Sequence, residues 1–232
     1  MEDFADVDRV FAMQGDDMRV HKGRSVVALS IDGGTYYLKR FWWTPSQALK
    51  RFVARGFHEM RMIDWLNDQG FAGPDIVRRG QGGVFPIITK VFFLMREVPG
   101  ELALEAKWRD REVDRTRLIR DLAGFAARLH DAGFVHTDFS ERHILVGGPH
   151  EGDRQADFTF RLIDVERASL ANRSVGRAAA DIATLVASVA DDELQEAVWQ
   201  AFLEVYVAQR SSLPRGVDFR RLVAKAKPTK SF

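Results

Sequence analysis

The chain has 232 residues and a mass of 26.3 kDa, a size that suits one domain or one two-lobed domain. With 46% hydrophobic and 29% charged residues and no cysteine, it is not a disordered, collagen-like or disulfide-scaffold protein, and thiolate zinc sites, iron–sulfur clusters and cysteine nucleophiles are excluded. Net charge is only +1, yet residues 1–17 hold six acids against Arg9, and seven bases against Asp218 follow from Arg210 onward. A basic end of this kind suits peripheral contact with an anionic membrane surface or plain solvation; the near-neutral total speaks against nucleic acid. No uncharged apolar stretch approaches the ~18 residues of a membrane span. The acidic start, Met1 to Asp6, lacks the pattern of a signal peptide. The expectation is a cytoplasmic chain, at most peripheral on the inner face of the cytoplasmic membrane.

The first third reads as strands. Met18–His21 and Ser25–Ile31 are followed by a turn at Asp32-Gly33-Gly34, and Thr35–Phe41 returns as a strand. Gln47–Gln69 carries a helical stripe (Phe52, Met60, Ile63, Leu66) that stops at Gly70. After a loop at Phe71–Pro74, a strand pair is expected over Val84–Ile88 and Lys90–Met95, around Pro86. Asp114–Ala132 is the clearest helix, with Leu118, Leu122, Phe125 and Leu129 on one face and Gly133 at C′. Short strands at Phe134-Val135 and Ile144–Val146 flank a polar loop. A polar hairpin or insertion spans Gly147–Asp157, a strand Phe158–Ile163, and helices Asp181–Val189 and Glu193–Gln209. Strands first and helices after make an α+β fold in two parts, divided near Pro99-Gly100.

The informative segment is His136-Thr137-Asp138-Phe139-Ser140-Glu141-Arg142-His143, followed downstream by Leu162-Ile163-Asp164-Val165-Glu166. Phosphoryl transfer needs one carboxylate to orient a hydroxyl and take its proton, another to hold Mg²⁺, and a lysine to offset phosphate charge. Asp138, Asp164 and Lys39 are candidates for these parts, and Glu59 in the following helix is a partner for Lys39. Other readings stay open for single residues. Lys39 alone reads as an ordinary strand-end lysine, Asp138 as an N-cap or turn residue, His136 as a loop histidine bonded to backbone, and His130 as a favourable charge at its helix end. Asp164, ending an apolar strand, wants a cation or donors. Trp42-Trp43 beside Arg40, with Lys50, Arg51 and Arg55 near, reads either as a basic–aromatic surface or as packing.

The ordered set Lys39, Glu59, His136-x-Asp138-x4-His143, Asp164, with Leu66-x3-Gly70-x3-Pro74 and Arg177-x3-Asp181-Ile182-Ala183, resembles the lipopolysaccharide kinase (Kdo/WaaP) family of the protein-kinase-like fold. The resemblance covers roughly residues 18–190. It implies a small β-rich, nucleotide-binding N-lobe over residues 1–98, a mainly helical C-lobe over 99–210 and a basic tail over 211–232. It further implies ATP and Mg²⁺ as cofactors, and a heptose or Kdo hydroxyl of the lipopolysaccharide inner core, or another sugar, as acceptor. Residue by residue, it implies Asp138 as catalytic base and Lys39, paired to Glu59, on the nucleotide phosphates. Arg96-Glu97-Val98 form the hinge at adenine, Gly23 lies in the phosphate loop, and Asp164 and His143 are the metal ligands. Asp181 accepts hydrogen bonds from the catalytic-loop backbone, and Arg142 is a candidate contact to phosphate or an acidic sugar. The stretch Val20–Ser25 holds one glycine where kinases have three, leaving Lys22, Arg24 and backbone amides for phosphate; His143 replaces an asparagine, and Val165-Glu166 replaces Phe-Gly. These departures keep two alternatives in view: a protein kinase or autokinase on the same fold, and a nucleotide-binding pseudokinase.

Overall fold

The computed structural model describes residues 2–21, 23–43, 51–84, 86–98, 100–110, 113–148, 157–171, 173–189 and 195–228. Lys22, the expected helix start at 47–50, most of the 147–157 hairpin, and residues 193–194 lie outside them. The chain divides into two units, Met1–Pro99 and Gly100–Phe232, the first β-rich and the second mainly helical.

In the first unit a short helix, α1 (Val7–Ala12), precedes strands β1 (Asp16–His21), β2 (Arg24–Ile31) and β3 (Gly34–Trp42). Helix α2 (Arg51–Asp68) and strands β4 (Asp75–Val84) and β5 (Ile87–Arg96) follow. The five strands form one antiparallel sheet in the order β1-β2-β3-β5-β4. Ile31 pairs with Gly34 across a two-residue turn in which Asp32 and Gly33 have φ of 51° and 78°, the doubly left-handed geometry that matches strand twist.

The apolar run of β5 is buried on both faces of the sheet. Phe92 and Leu94 join Val27, Leu29 and Leu38 with Val10 of α1, while Phe93 stacks on Phe41 with centroids 6.1 Å apart. That second face carries α2, whose Gly56 lets the helix approach: a Cβ there would lie 2.9 Å from the Phe41 ring. Arg40 points the other way. Its guanidinium donates to the carbonyls of Phe11 (3.0 Å) and Met13 (3.1 Å) and to Ser25 Oγ, satisfying carbonyls that the end of α1 leaves without partners. Arg40 is therefore committed to α1 rather than to a basic–aromatic surface, and Trp42 meets Phe11 edge-on at 6.3 Å.

The strand pair expected around Pro86 is longer and differently placed. β4 begins at Asp75, and β5 runs unbroken through Ile88-Thr89-Lys90. Gly80, which weakens the strand pattern, is required there, because a Cβ would collide with the ring of Phe92 on the neighbouring strand.

The second unit contains β6 (Leu102–Ala103), α3 (Leu104–Arg109), α4 (Arg115–Asp131), β7 (Phe134–Val135), β8 (Ile144–Gly147), β9 (Thr159–Leu162) and β10 (Ser169–Leu170). Helices α5 (Val175–Ser188), α6 (Gln195–Gln209) and α7 (Phe219–Lys225) complete it. α4 is capped by Asp114, which accepts from Arg117 N at 3.1 Å, and Gly133 follows at φ 89°. Its face of Leu118, Leu122, Phe125 and Leu129 is buried, as the spacing predicts. α5 starts at Val175 under a Ser174 cap, six residues ahead of the expected start at Asp181. α7 lies in the stretch expected as a basic tail; it packs on α5, and Phe219 stacks on Tyr206 of α6 at 4.8 Å.

The ends of α4 and α6 are tied by Asp131. Its carboxylate accepts from Arg210 Nε (2.8 Å), Ser211 N (2.7 Å) and Oγ (2.8 Å), and Ser212 N (3.0 Å). Burial pushes this carboxyl up, but the hydrogen bonds from Ser212 and Ser211 outweigh it and hold the group well below the usual carboxylate range. A depressed folded pKa contributes stability above the unfolded value and loses it as pH falls through the carboxylate range toward the folded value. Asp131→Asn is therefore expected to cost stability at pH 7 and to flatten the loss of stability as pH falls below about 5, as read by urea denaturation at each pH.

Candidate active site

In the first unit the two-residue period of β3 sends Lys39 to the same face as Phe41, toward α2. Its Nζ lies 2.8 Å from Glu59 Oε1, with both side chains more than nine-tenths buried (6% and 2% exposed). Burying two charges costs several kcal/mol each before their attraction offsets it, so fold stability alone is a weak reason to keep such a pair. Gly23 occupies the β1–β2 turn at φ 88°, and its carbonyl accepts from Trp42 N at 2.9 Å. Of the three expected hinge residues, Arg96 ends β5 and lies 3.9 Å from Asp75. Glu97 donates its amide to Thr35 O (3.0 Å) and accepts from the Tyr37 hydroxyl (3.0 Å), and Val98 is half-buried.

In the second unit the polar loop between β7 and β8 is held from α5. Asp181, 1% exposed, accepts the amide of His136 at 2.7 Å on one oxygen and that of Thr137 at 2.8 Å on the other. Thr137 adopts φ 65°, a conformation a β-branched residue takes only when its surroundings impose it; its hydroxyl is fixed on Arg167 O at 2.9 Å. Beyond it, Asp138 O accepts from Ser140 N (2.9 Å) and from His143 Nδ1 (2.9 Å). Because a carbonyl only accepts, His143 carries its proton on Nδ1, and Nε2 presents a lone pair. That nitrogen lies 3.8 Å from Asp164 Oδ2, and Asp138 Oδ2 is 3.8 Å from Nδ1. Asp164 follows β9 at φ 54°, a second left-handed residue beside the same loop. Asp138, His143 and Asp164 are thus brought together.

The donor set tests the fit of a metal. A carboxylate oxygen and an imidazole lone pair 3.8 Å apart span one divalent ion at about 2.0–2.2 Å per bond. For Mg²⁺, which prefers oxygen, the carboxylate is the natural ligand and the imidazole the unusual one.

Sequence reasoning missed the support behind this loop. His130, expected as a charge at the end of α4, is instead buried between α5 and α6. Its Nε2 lies 3.3 Å from Asp181 and its Nδ1 2.7 Å from the Tyr206 hydroxyl. With the Nε2 proton on the carboxylate, Nδ1 accepts from Tyr206, and the Tyr206 oxygen accepts from the Arg210 guanidinium. Each member of the chain Asp181–His130–Tyr206–Arg210–Asp131 is satisfied. Burial pushes the Tyr206 hydroxyl up against the opposing pull of Arg210, which keeps it a donor. His136 is a loop histidine bonded to backbone: Nε2 meets Ile163 O at 3.0 Å, and the ring lies 13° from parallel to His143 at 5.8 Å. Burial pushes its pKa down, so it stays neutral. His136 thus stands as the sequence suggests, whereas the His130 contacts have no local signal, since His130 and Tyr206 stand 76 residues apart in sequence.

Phosphoryl transfer calls for one carboxylate at the acceptor and another at a metal, and the Asp181-clamped loop carries Asp138 with Asp164 close by. The chain belongs to the lipopolysaccharide kinase (Kdo/WaaP) family, whose model matches residues 12–206, and is an enzyme of the kinase class. Among solved structures it is similar to WaaP in complex with acyl carrier protein, at 23% identity and a TM-score of 0.68 over 94% of this chain and 86% of that one. It is also similar to WbdD bound to the kinase inhibitor LY294002, at 19% identity and a TM-score of 0.52 over 88% of this chain and 48% of that one. A further structure of WbdD, described as a bifunctional kinase-methyltransferase, gives 19% identity and a TM-score of 0.50 over 87% and 46%. At these identities the likeness is one of fold. No curated protein matches the chain.

Replacing Tyr206 by Phe removes the donor to His130 and the acceptor of Arg210. The expected cost is ~1–3 kcal/mol, read by denaturant unfolding, with a fall in kcat at unchanged KM for ATP as the Asp181 clamp loosens.

Proposed function

We propose that this chain transfers the γ-phosphoryl group of ATP to a sugar hydroxyl of the lipopolysaccharide inner core, on heptose or Kdo, within a two-lobed protein-kinase-like fold. The observation that carries the reading is the Asp181-clamped loop with Asp138 on it and Asp164 beside it. Asp138 orients the acceptor hydroxyl and takes its proton as the oxygen attacks. Asp164 holds the metal, with His143 Nε2 as a second ligand. Mg²⁺, when bound, supplies positive charge against the phosphates. Lys39, kept charged and directed by Glu59, offsets charge on the transferring group. Arg96-Glu97-Val98 receive adenine through their backbone, and Gly23 leaves room for phosphate at the β1–β2 turn. A glycolipid acceptor agrees with a cytoplasmic chain that touches the inner face of the cytoplasmic membrane through its basic C-terminal residues. No helix among the described residues is long and apolar enough to cross a membrane.

The test is transfer of labelled γ-phosphate from ATP with Mg²⁺ to extracted core lipopolysaccharide, using wild type and Asp138→Ala in parallel. Label in the glycolipid that falls about 10²–10⁴-fold in the variant, while ATP still binds, is the expected result. Asp164→Ala is expected to lose Mg²⁺-dependent ATP binding in calorimetry. Label on protein would favour the autokinase, and bound ATP with no label anywhere the pseudokinase.

A further inference from the structure

Residues 140–142 of the clamped loop, immediately after Asp138 and Phe139, form one wall of a cavity of about 350 Å³ within the second unit. Glu105 of α3 and Thr184 and Ser188 of α5 complete its polar lining. That volume lies at the small end of the range of about 300–1,000 Å³ for small-molecule sites.

The hydrogen-bonding capacity of the lining is specific. Thr184 gives its hydroxyl proton to Ala180 O (2.9 Å) and Ser188 gives its own to Leu185 O (2.9 Å) while accepting from Glu141 N (3.0 Å). Toward the cavity, Glu141 and Thr184 offer acceptors, as does the Glu105 oxygen that Arg109 does not hold (its partner oxygen lies 2.8 Å from the Arg109 guanidinium). Arg142 offers donors, and its Nε is shielded from solvent with no hydrogen-bond partner among the described residues. A cationic ligand would meet Arg142 badly, and an anionic one would meet Glu105 and Glu141 badly. A group whose hydroxyls donate and accept at once suits both. Sugar diols do this.

We propose that this cavity is an acceptor subsite that holds one sugar residue of the glycan, its hydroxyls donating to Glu141 and Glu105 and accepting from Arg142. The assignment rests on the sugar-kinase reading above and names the surface that selects the acceptor. Glu141 and Arg142 share a short loop with Asp138, so a sugar seated on them is held in register with the proposed base.

The experiment titrates inner-core oligosaccharide, freed of its lipid, into the full chain by calorimetry, with wild type, Glu141→Gln and Arg142→Lys. Phosphoryl transfer to core lipopolysaccharide is assayed on the same three proteins. Both substitutions keep size and polarity, and unfolding midpoints check that each variant is folded. The expected result is oligosaccharide affinity weakened about 10-fold or more by each substitution, an equal rise in the acceptor KM, and unchanged affinity for ATP. Equal oligosaccharide affinity in all three proteins overturns the subsite, as does a loss confined to ATP. If wild type transfers phosphate to the glycan while the variants keep the acceptor KM, the subsite fails and the sugar-kinase reading stands. If wild type neither binds the oligosaccharide nor transfers phosphate to it, that reading fails and the subsite with it.

Discussion

Asp181 is the constraint on which the second unit depends. A carboxylate at 1% exposure is tolerable only where donors replace its lost hydration, and here these are two main-chain amides and one imidazole. The two amides belong to consecutive residues, so satisfying the charge fixes the start of the loop between β7 and β8. The left-handed turn at Thr137 follows from that fixation. The direction in which Asp138 leaves the turn, and the distance at which His143 faces Asp164, depend on it in turn. The charge is structural, and its effect is to fix where Asp138 and His143 stand.

The first unit makes a comparable use of burial. Lys39 would reach solvent readily from a strand at the edge of its sheet, but β3 is flanked by β2 and β5, and α2 lies close against it because position 56 is glycine. The lysine has one face to enter, and Glu59 stands there. A pair so enclosed has its geometry set by packing rather than by solvent. Each unit therefore holds these candidate groups on backbone that is regular or tightly pinned.

Much of this was legible in sequence where the signal was local or periodic. The helix over 114–132, the glycine after it and the two-residue turn at Asp32-Gly33 belong to that kind, whereas the pairing of Lys39 with Glu59 and the nearness of Asp138, His143 and Asp164 are legible only through the ordered set of residues the family resemblance supplies. β4 is not legible, because its glycines lower strand propensity for reasons that lie elsewhere in the fold: Gly80 faces the ring of Phe92 on the neighbouring strand, Gly82 faces Val7 of α1, and Gly83 sits at φ 152° against the Ile87 carbonyl. The pattern starts α5 six residues late, at Asp181, since Val175-Gly176-Arg177 carries no apolar stripe and its Ser174 cap is a weak cue. His130 reads from sequence as a helix-end charge because its partners, Asp181 and Tyr206, come from other helices, and nothing near residue 130 announces a buried ring with both nitrogens occupied.

Tyr206 has two neighbours of different origin: His130 at its hydroxyl and Phe219 stacked on its ring. The hydrogen-bonded chain and the C-terminal helix thereby meet on one side chain. Opening α7 exposes the ring that keeps water from the Tyr206 hydroxyl, and through His130 it reaches the carboxylate holding the loop amides. Residues some eighty positions apart in sequence are thus linked through one run of contacts, and a linkage of this kind makes the amides of His136 and Thr137 open with the C-terminal helices rather than with their own short loop.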